Sequence, residues 1–180
     1  DQNSKSATPS ILPHLLQAMK AFVSTAVIQE HACGTLAAMA LRRPANARAI
    51  LDAEGPRLVL LAMKKHDMNV NVQRQGALAI RNIVSRLLRD LPDEDVSAES
   101  KTTAEAAIGD ERSSIRDAFL ELGAEDVLRN ITGRHQGSVD EAYAALRDLG
   151  CKVSLVKFNS DDTQEPSNSS APMMFGGKHN

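Results

Sequence analysis

The chain has 180 residues, of which 42% are hydrophobic, 24% charged and 3% aromatic, and its formal net charge at pH 7 is -2. This apolar content suits one core of ordinary size or a short solenoid, and it is too high for a chain that is disordered throughout. A nucleic-acid-binding protein is disfavoured, because phosphates attract a basic excess and unpaired bases need aromatic stacking partners.

The two cysteines, Cys33 and Cys151, lie in unrelated contexts, with no second cysteine or histidine at the spacing of metal ligands. This pattern argues against a disulfide framework and a zinc site, and it fits a reducing compartment with both thiols as small core residues. There is no signal peptide and no apolar run near the roughly 18 residues of a membrane span. We therefore expect an intracellular protein of the cytoplasm or nucleus with no membrane contact. Because the chain begins with Asp1, we expect it to be part of a longer protein.

The predicted helices begin after a flexible flank at residues 1–10, and two stretches of the chain match at a fixed distance. "LLQAMK" at 15–20 aligns with "VLLAMK" at 59–64, an offset of 44 residues that also places Gln29 on Gln73. A period in the low forties with helical spacing is typical of solenoids whose repeats contain two or three helices. A third copy follows at an offset of 66 from the second.

The clearest predicted helix covers residues 72–87. Its apolar positions recur every three or four residues and form one stripe: Val72, Gly76, Ile80, Ile83 and Leu87. The same position is small in all three copies, as Ala32, Gly76 and Ala142, which indicates that a neighbouring helix approaches closely there. The pair Gly55 and Pro56, and later Gly123, are predicted to end the preceding helices, by tolerating a positive φ or by being unable to continue the helix.

Two segments do not repeat. Residues 88–114 hold the 22 additional residues of the longer offset and are rich in Asp and Glu, so we predict a solvated, mobile acidic insertion. Residues 159–180 are rich in Ser, Asn, Pro and Gly and are predicted to be a disordered tail.

The segment "NARAILDAEGPRLVLLAMKKHDMNVNVQRQGALAIRNIVS" resembles an armadillo repeat, with a short first helix, a second helix, and a third helix ending in an A-L/I-R-N-L/I pattern. The resemblance implies an all-α, right-handed armadillo-type α-solenoid of about three stacked repeats within residues 11–153. Their expected bounds are 11–56, 57–114 and 115–153. The second repeat would include the acidic insertion.

Nuclear-import adaptors of this family clamp basic peptides with an array of Trp and Asn side chains. Here the chain has no Trp, and the position of Asn82 is Ala38 in the first copy and Asp148 in the third. The residues four positions earlier are Gly34, Leu78 and Ala144. Binding of an import signal by that array is therefore not expected.

A polar stripe on the third helix of the second repeat is the candidate binding surface. With Arg42 from the equivalent helix one repeat earlier, it would form a locally basic groove lined by Arg42, Gln75, Leu78, Asn82, Arg86 and Arg89. An ordinary solvated helix face would give the same stripe. By the resemblance, Asn82 would bond a bound peptide. The alternative is that it ties its own helix to the next repeat.

The remaining chemistry is sparse. The five histidines are scattered over different repeats, and no triad, phosphate loop or metal motif is present, so we predict no enzyme activity, no cofactor and no metal. We predict a protein-protein interaction scaffold that binds an extended or acidic partner segment on its concave face. The alternative is a set of structural repeats that cap a longer array. The acidic insertion is also hypothesised to occupy the basic groove transiently and to compete with acidic partners.

Overall fold

A computed structural model describes residues 8–92, 103–134 and 138–153. Within these ranges the regular elements are α-helices and no strand occurs, so the prediction of an all-α fold is confirmed. No helix in the described ranges is both long enough and apolar enough to cross a membrane. In chain order the helices are α1 (Thr8–Ala21), α2 (Ala26–Arg42), α3 (Pro44–Asp52), α4 (Gly55–Lys65), α5 (Val70–Asp90), α6 (Thr103–Leu120), α7 (Ala124–Arg134) and α8 (Val139–Asp148).

The helices form two rows. In one row α5 packs between α2 and α8, and in the other α4 contacts both α1 and α7. The helices α3 and α6 lie against the members of both rows, and one continuous cluster of buried apolar side chains joins the elements. This arrangement places α2, α5 and α8 side by side.

Helix α5 follows the predicted pattern closely. Its first turn is capped by the Asn69 side chain, which accepts a hydrogen bond from the Val72 amide at 3.0 Å. The five positions of the predicted apolar stripe are all buried. The prediction of one long amphipathic helix at residues 72–87 is therefore confirmed, and the helix extends beyond it at both ends.

The acidic insertion is largely helical where the structure describes it. The prediction of a loop over residues 88–114 is wrong for residues 88–90, which end α5, and for residues 103–114, which belong to α6. Ala and Glu, which favour helices, dominate the start of α6, while Ile115 and Phe119 bury one face. Asp110 and Glu111 therefore lie on the solvent side of a helix. Residues 93–102 lie outside the described residues.

The chain ends are described in part. Helix α1 begins at Thr8, so the predicted flexible flank is wrong for residues 8–10. Residues 1–7 and the predicted tail at residues 159–180 lie outside the described residues.

The turn before α4 differs from its prediction. Glu54 has the positive φ of 50°, whereas Gly55 is the first residue of α4. Glycine is suited to position 55 for a steric reason, because a Cβ there would lie 2.4 Å from the backbone oxygen of Ile50. At the later turn, Gly123 has a φ of 80°, so the prediction of a residue suited to positive φ is confirmed there.

Candidate protein-binding surface

Two buried glutamines fix the position of α2 and α5. Gln29 Nε2 donates to the Met19 and Phe22 carbonyls at 3.1 and 2.9 Å, and Gln73 Nε2 donates to the Met63 and His66 carbonyls at 2.8 and 2.9 Å. The donor and both acceptors of the second set each lie 44 residues after their counterparts in the first set. Each amide donates to two carbonyls at the end of the preceding helix. The last carbonyls of a helix have no backbone N–H of the same helix to bond, so they need another donor. The sequence comparison matched these two glutamines without assigning them a role.

Helices α2 and α5 lie close together and run in the same direction. A Cβ on Gly34 would lie 3.1 Å from Gln75 Oε1, and further along both helices Asn82 Nδ2 donates to the Ala37 carbonyl at 3.1 Å. Gly34 therefore leaves room for the end of the Gln75 side chain beside α2. The two contacts set the register of the surface that the helices share.

Asn82 has a structural partner. Its side chain is only 9% exposed, and its amide group bonds a carbonyl of the preceding long helix. Of the two interpretations of this residue, the structure supports the one in which it ties its own helix to a neighbour. The neighbour is α2, which precedes α5, so the expected direction of this contact, towards the following part of the chain, is wrong.

The other predicted site residues are spread over two zones. Arg42 and Gln75 line a groove of about 580 Å³ that follows the outer side of α2. Leu78 and Arg86 are half-buried and Arg89 is exposed, and none of these three lines that groove. The structure therefore brings Arg42 and Gln75 together and places the remaining residues along α5.

Unpaired arginines distinguish this part of the surface. Elsewhere Arg74 Nε lies 2.9 Å from a Glu141 oxygen, and Arg48 pairs with Glu111. Across the described ranges, the arginines with neither an ion pair nor a hydrogen bond from their side chains lie in the C-terminal half of α5 or at the end of α2: Arg42, Arg43, Arg81, Arg86 and Arg89. The Nε of Arg86 is buried as well as unpaired. Positive charge is therefore concentrated and uncompensated along two neighbouring helices.

Sequence reasoning missed most of the groove along α2. Its remaining lining comes chiefly from the face of α2 that carries Glu30, His31, Gly34, Thr35, Ala38 and Met39. The offset of 44 residues could have found it, since it places His31 on Gln75 and Arg42 on Arg86. A stripe on α5 thus implies a matching stripe on α2.

The two thiols differ in their surroundings. Cys33 is fully buried, and burial raises its pKa from 9.0 to about 12. Cys151 is half-buried, and its pKa is raised chiefly by desolvation, with a further contribution from the Glu125 carboxylate. The prediction of a core residue is therefore confirmed for Cys33, whereas Cys151 is partly accessible.

We expect a thiol reagent to label Cys33 only after unfolding, because the thiolate is the reactive form and burial suppresses it. A Cys151→Ser variant isolates this thiol for measurement by mass spectrometry. The unfolded thiol ionises near pH 9 and the folded one near pH 12. Ionisation of Cys33 therefore leaves the free energy of unfolding unchanged below pH 9. As pH rises from 9 towards 12, the free energy of unfolding falls, because only the unfolded thiol ionises. Rapid labelling of the native variant at neutral pH would contradict this.

In the described part of the chain, no group of three or more His, Cys, Asp and Glu side chains is placed to hold a metal ion. Comparison of the chain with family models, curated proteins and solved structures found no match.

Proposed function

We propose that this chain is a protein-protein interaction scaffold that binds an extended, acidic segment of a partner along α2 and α5. The observation that carries the proposal is the set of five unpaired arginines on two adjacent helices. Arginine presents several donors in a plane and is suited to paired contacts with carboxylates. A partner rich in Asp or Glu would supply the acceptors that these side chains lack.

The architecture in this proposal is an armadillo-type, right-handed solenoid of about three repeats. The glutamine contacts that recur after 44 residues support it, as does the row formed by α2, α5 and α8. In such a solenoid the successive long helices present a continuous concave surface. An extended segment could cross several of them.

Within this surface the residues have different tasks. Arg42, Arg86 and Arg89 supply charge, while Gln75 and Leu78 supply a polar and an apolar contact beside them. Asn82 is a positioning residue, because its amide holds α5 against α2. Binding through a ladder of asparagine side chains is not part of the proposal.

The alternative function is a structural one, in which these helices cap a longer array and bind no partner themselves. Large apolar side chains exposed on and just after α1 and α2 favour it, since such surface suits stacking against further helices. They are Ile11, Phe22, Val27 and Leu41.

A charge reversal on α5 tests the binding function. We expect the variant Arg86→Glu/Arg89→Glu to bind a synthetic Asp- and Glu-rich peptide at least about tenfold more weakly than the unmodified chain at low ionic strength, because about 1.4 kcal/mol corresponds to a factor of ten. The difference should shrink as salt rises, since exposed charges are screened. Fluorescence anisotropy with a labelled peptide measures both effects.

The matched control is Arg57→Glu/Arg129→Glu, which changes the net charge equally on α4 and α7. Both control residues are exposed, and urea unfolding shows whether each variant keeps its fold. An equal loss of affinity in both variants would mean that net charge alone attracts the peptide. Unchanged binding by the α5 variant would favour the capping function.

A further inference from the structure

The groove along the outer side of α2, here called the α2 groove, is lined by Glu30, His31, Gly34, Thr35, Ala38, Met39 and Arg42, with Ile11, Asn46 and Gln75 beside them. Its floor is low at Gly34 and Ala38, because these residues have little or no side chain. Glu30 and Arg42 mark its two ends and are twelve residues apart, which corresponds to about 18 Å along a helix. The α2 groove is therefore about as long as three turns of a helix.

The equivalent face of α5 is covered by a helix. The offset of 44 residues places Thr35 on Ala79 and Ala38 on Asn82. Ala79 and Asn82 are buried, and Asn82 bonds α2 directly, whereas Thr35 and Ala38 are exposed. The same helical face thus occurs twice, once with a helix packed on it and once without.

The α2 groove also has a charge at each end. In the described part of the chain, Glu30 and Arg42 have neither an ion pair nor a side-chain hydrogen bond. Acidic residues stabilise the first turn of a helix and basic residues its last turn, because the helix dipole is positive at its N-terminus. A helix of that ordinary pattern, lying antiparallel to α2, would place its acidic turn beside Arg42 and its basic turn beside Glu30.

We propose that the α2 groove docks an amphipathic helix of a partner protein. The partner helix would run antiparallel to α2, with small apolar side chains on the contact face, carboxylates in its first turn and cations in its last. Small side chains are required because Gly34 and Ala38 leave little side chain between the α2 backbone and the docked helix. This site is additional to the surface for the extended segment and shares Arg42 and Gln75 with it.

A designed helical peptide about four turns long tests the proposal. It carries Ala and Leu on one face, Glu in the first turn and Lys in the last, and a second peptide has these charges exchanged. We expect Ala38→Arg, and independently Thr35→Arg, to weaken binding of the first peptide more than tenfold, because each fills the α2 groove. Met68→Arg adds the same charge at an exposed residue outside the groove and is expected to bind the peptide as the unmodified chain does.

Exchange of charges tests the orientation. Arg42→Glu should weaken binding of the first peptide and strengthen binding of the charge-exchanged peptide. Arg86→Glu/Arg89→Glu should leave helix binding unchanged, so failure of this proposal and failure of the proposed function are distinguishable. Binding that survives both groove-filling variants would overturn the proposal. Self-association of the chain that Ala38→Arg abolishes would also overturn it, because the occupant would then be a second copy.

Discussion

Gly55→Ala is expected to destabilise the protein by about 1 to 3 kcal/mol, the usual cost of forcing an atom into packed surroundings. The new Cβ would lie 2.4 Å from the Ile50 backbone oxygen and 2.5 Å from Ile50 Cγ2. Ile50 is fully buried, and a backbone oxygen cannot rotate away as the end of a long side chain can. Relief would require α3 and α4 to separate. Urea unfolding followed by circular dichroism measures the loss.

Gly109→Ala is the matched control, with the opposite expected sign. Gly109 lies inside α6, and a Cβ there would meet no atom within 4 Å. Alanine at such a site is expected to stabilise the helix by up to about 1 kcal/mol. If both substitutions proved equally harmless, the close contact between Gly55 and Ile50 would be contradicted.

The long helix α5 was predictable because its sequence carries enough information by itself. Five apolar positions recur at helical spacing, and each of them is buried in the fold. The small residue Gly76 also has the expected role, since a Cβ there would lie 2.5 Å from Met63 Cγ and Sδ. Period and side-chain size alone identified both the buried face and its closest contact.

The first part of α6, residues 103–114, was not predicted to be helical because charge content outweighed a weaker apolar pattern. Ile115 and Phe119 are buried four residues apart, but the acidic residues around them made the segment resemble a solvated loop. What separates the two possibilities is the surface against which those side chains pack. That surface is formed by α4, α5 and α7, which a reading of the local sequence does not include.

The candidate surface was predictable only in part, for a similar reason. The stripe on α5 follows from residue spacing, yet whether Asn82 binds a partner or its own protein depends on a carbonyl 45 residues away. Likewise, a list of arginines does not tell which of them have carboxylate partners. Arg74 is paired with Glu141 across two helices, whereas Arg86, on the same helix as Arg74, is not.

Gln73→Met is expected to destabilise the protein by about 1 to 3 kcal/mol. Methionine keeps the length of the side chain but removes the amide that donates to the Met63 and His66 carbonyls at 2.8 and 2.9 Å. Gln73 is only 2% exposed, so water cannot readily replace its amide. An unsatisfied buried polar group costs about 1 to 3 kcal/mol. The His66 carbonyl keeps a second donor, the Asn69 amide, so most of the loss should come from Met63.

Gln75→Met, two residues further along α5, serves as the control because Gln75 is half-buried and has no hydrogen bond from its side chain. Its substitution should change the free energy of unfolding by no more than about 0.5 kcal/mol, as is usual at sites without such partners. Gln29→Met removes the equivalent amide in α2 and should destabilise the protein in the same direction as Gln73→Met. If Gln73→Met and Gln75→Met were equally stable, the Gln73 amide would not be what holds α5 to the end of α4, and the position of the binding surface would depend on apolar packing alone.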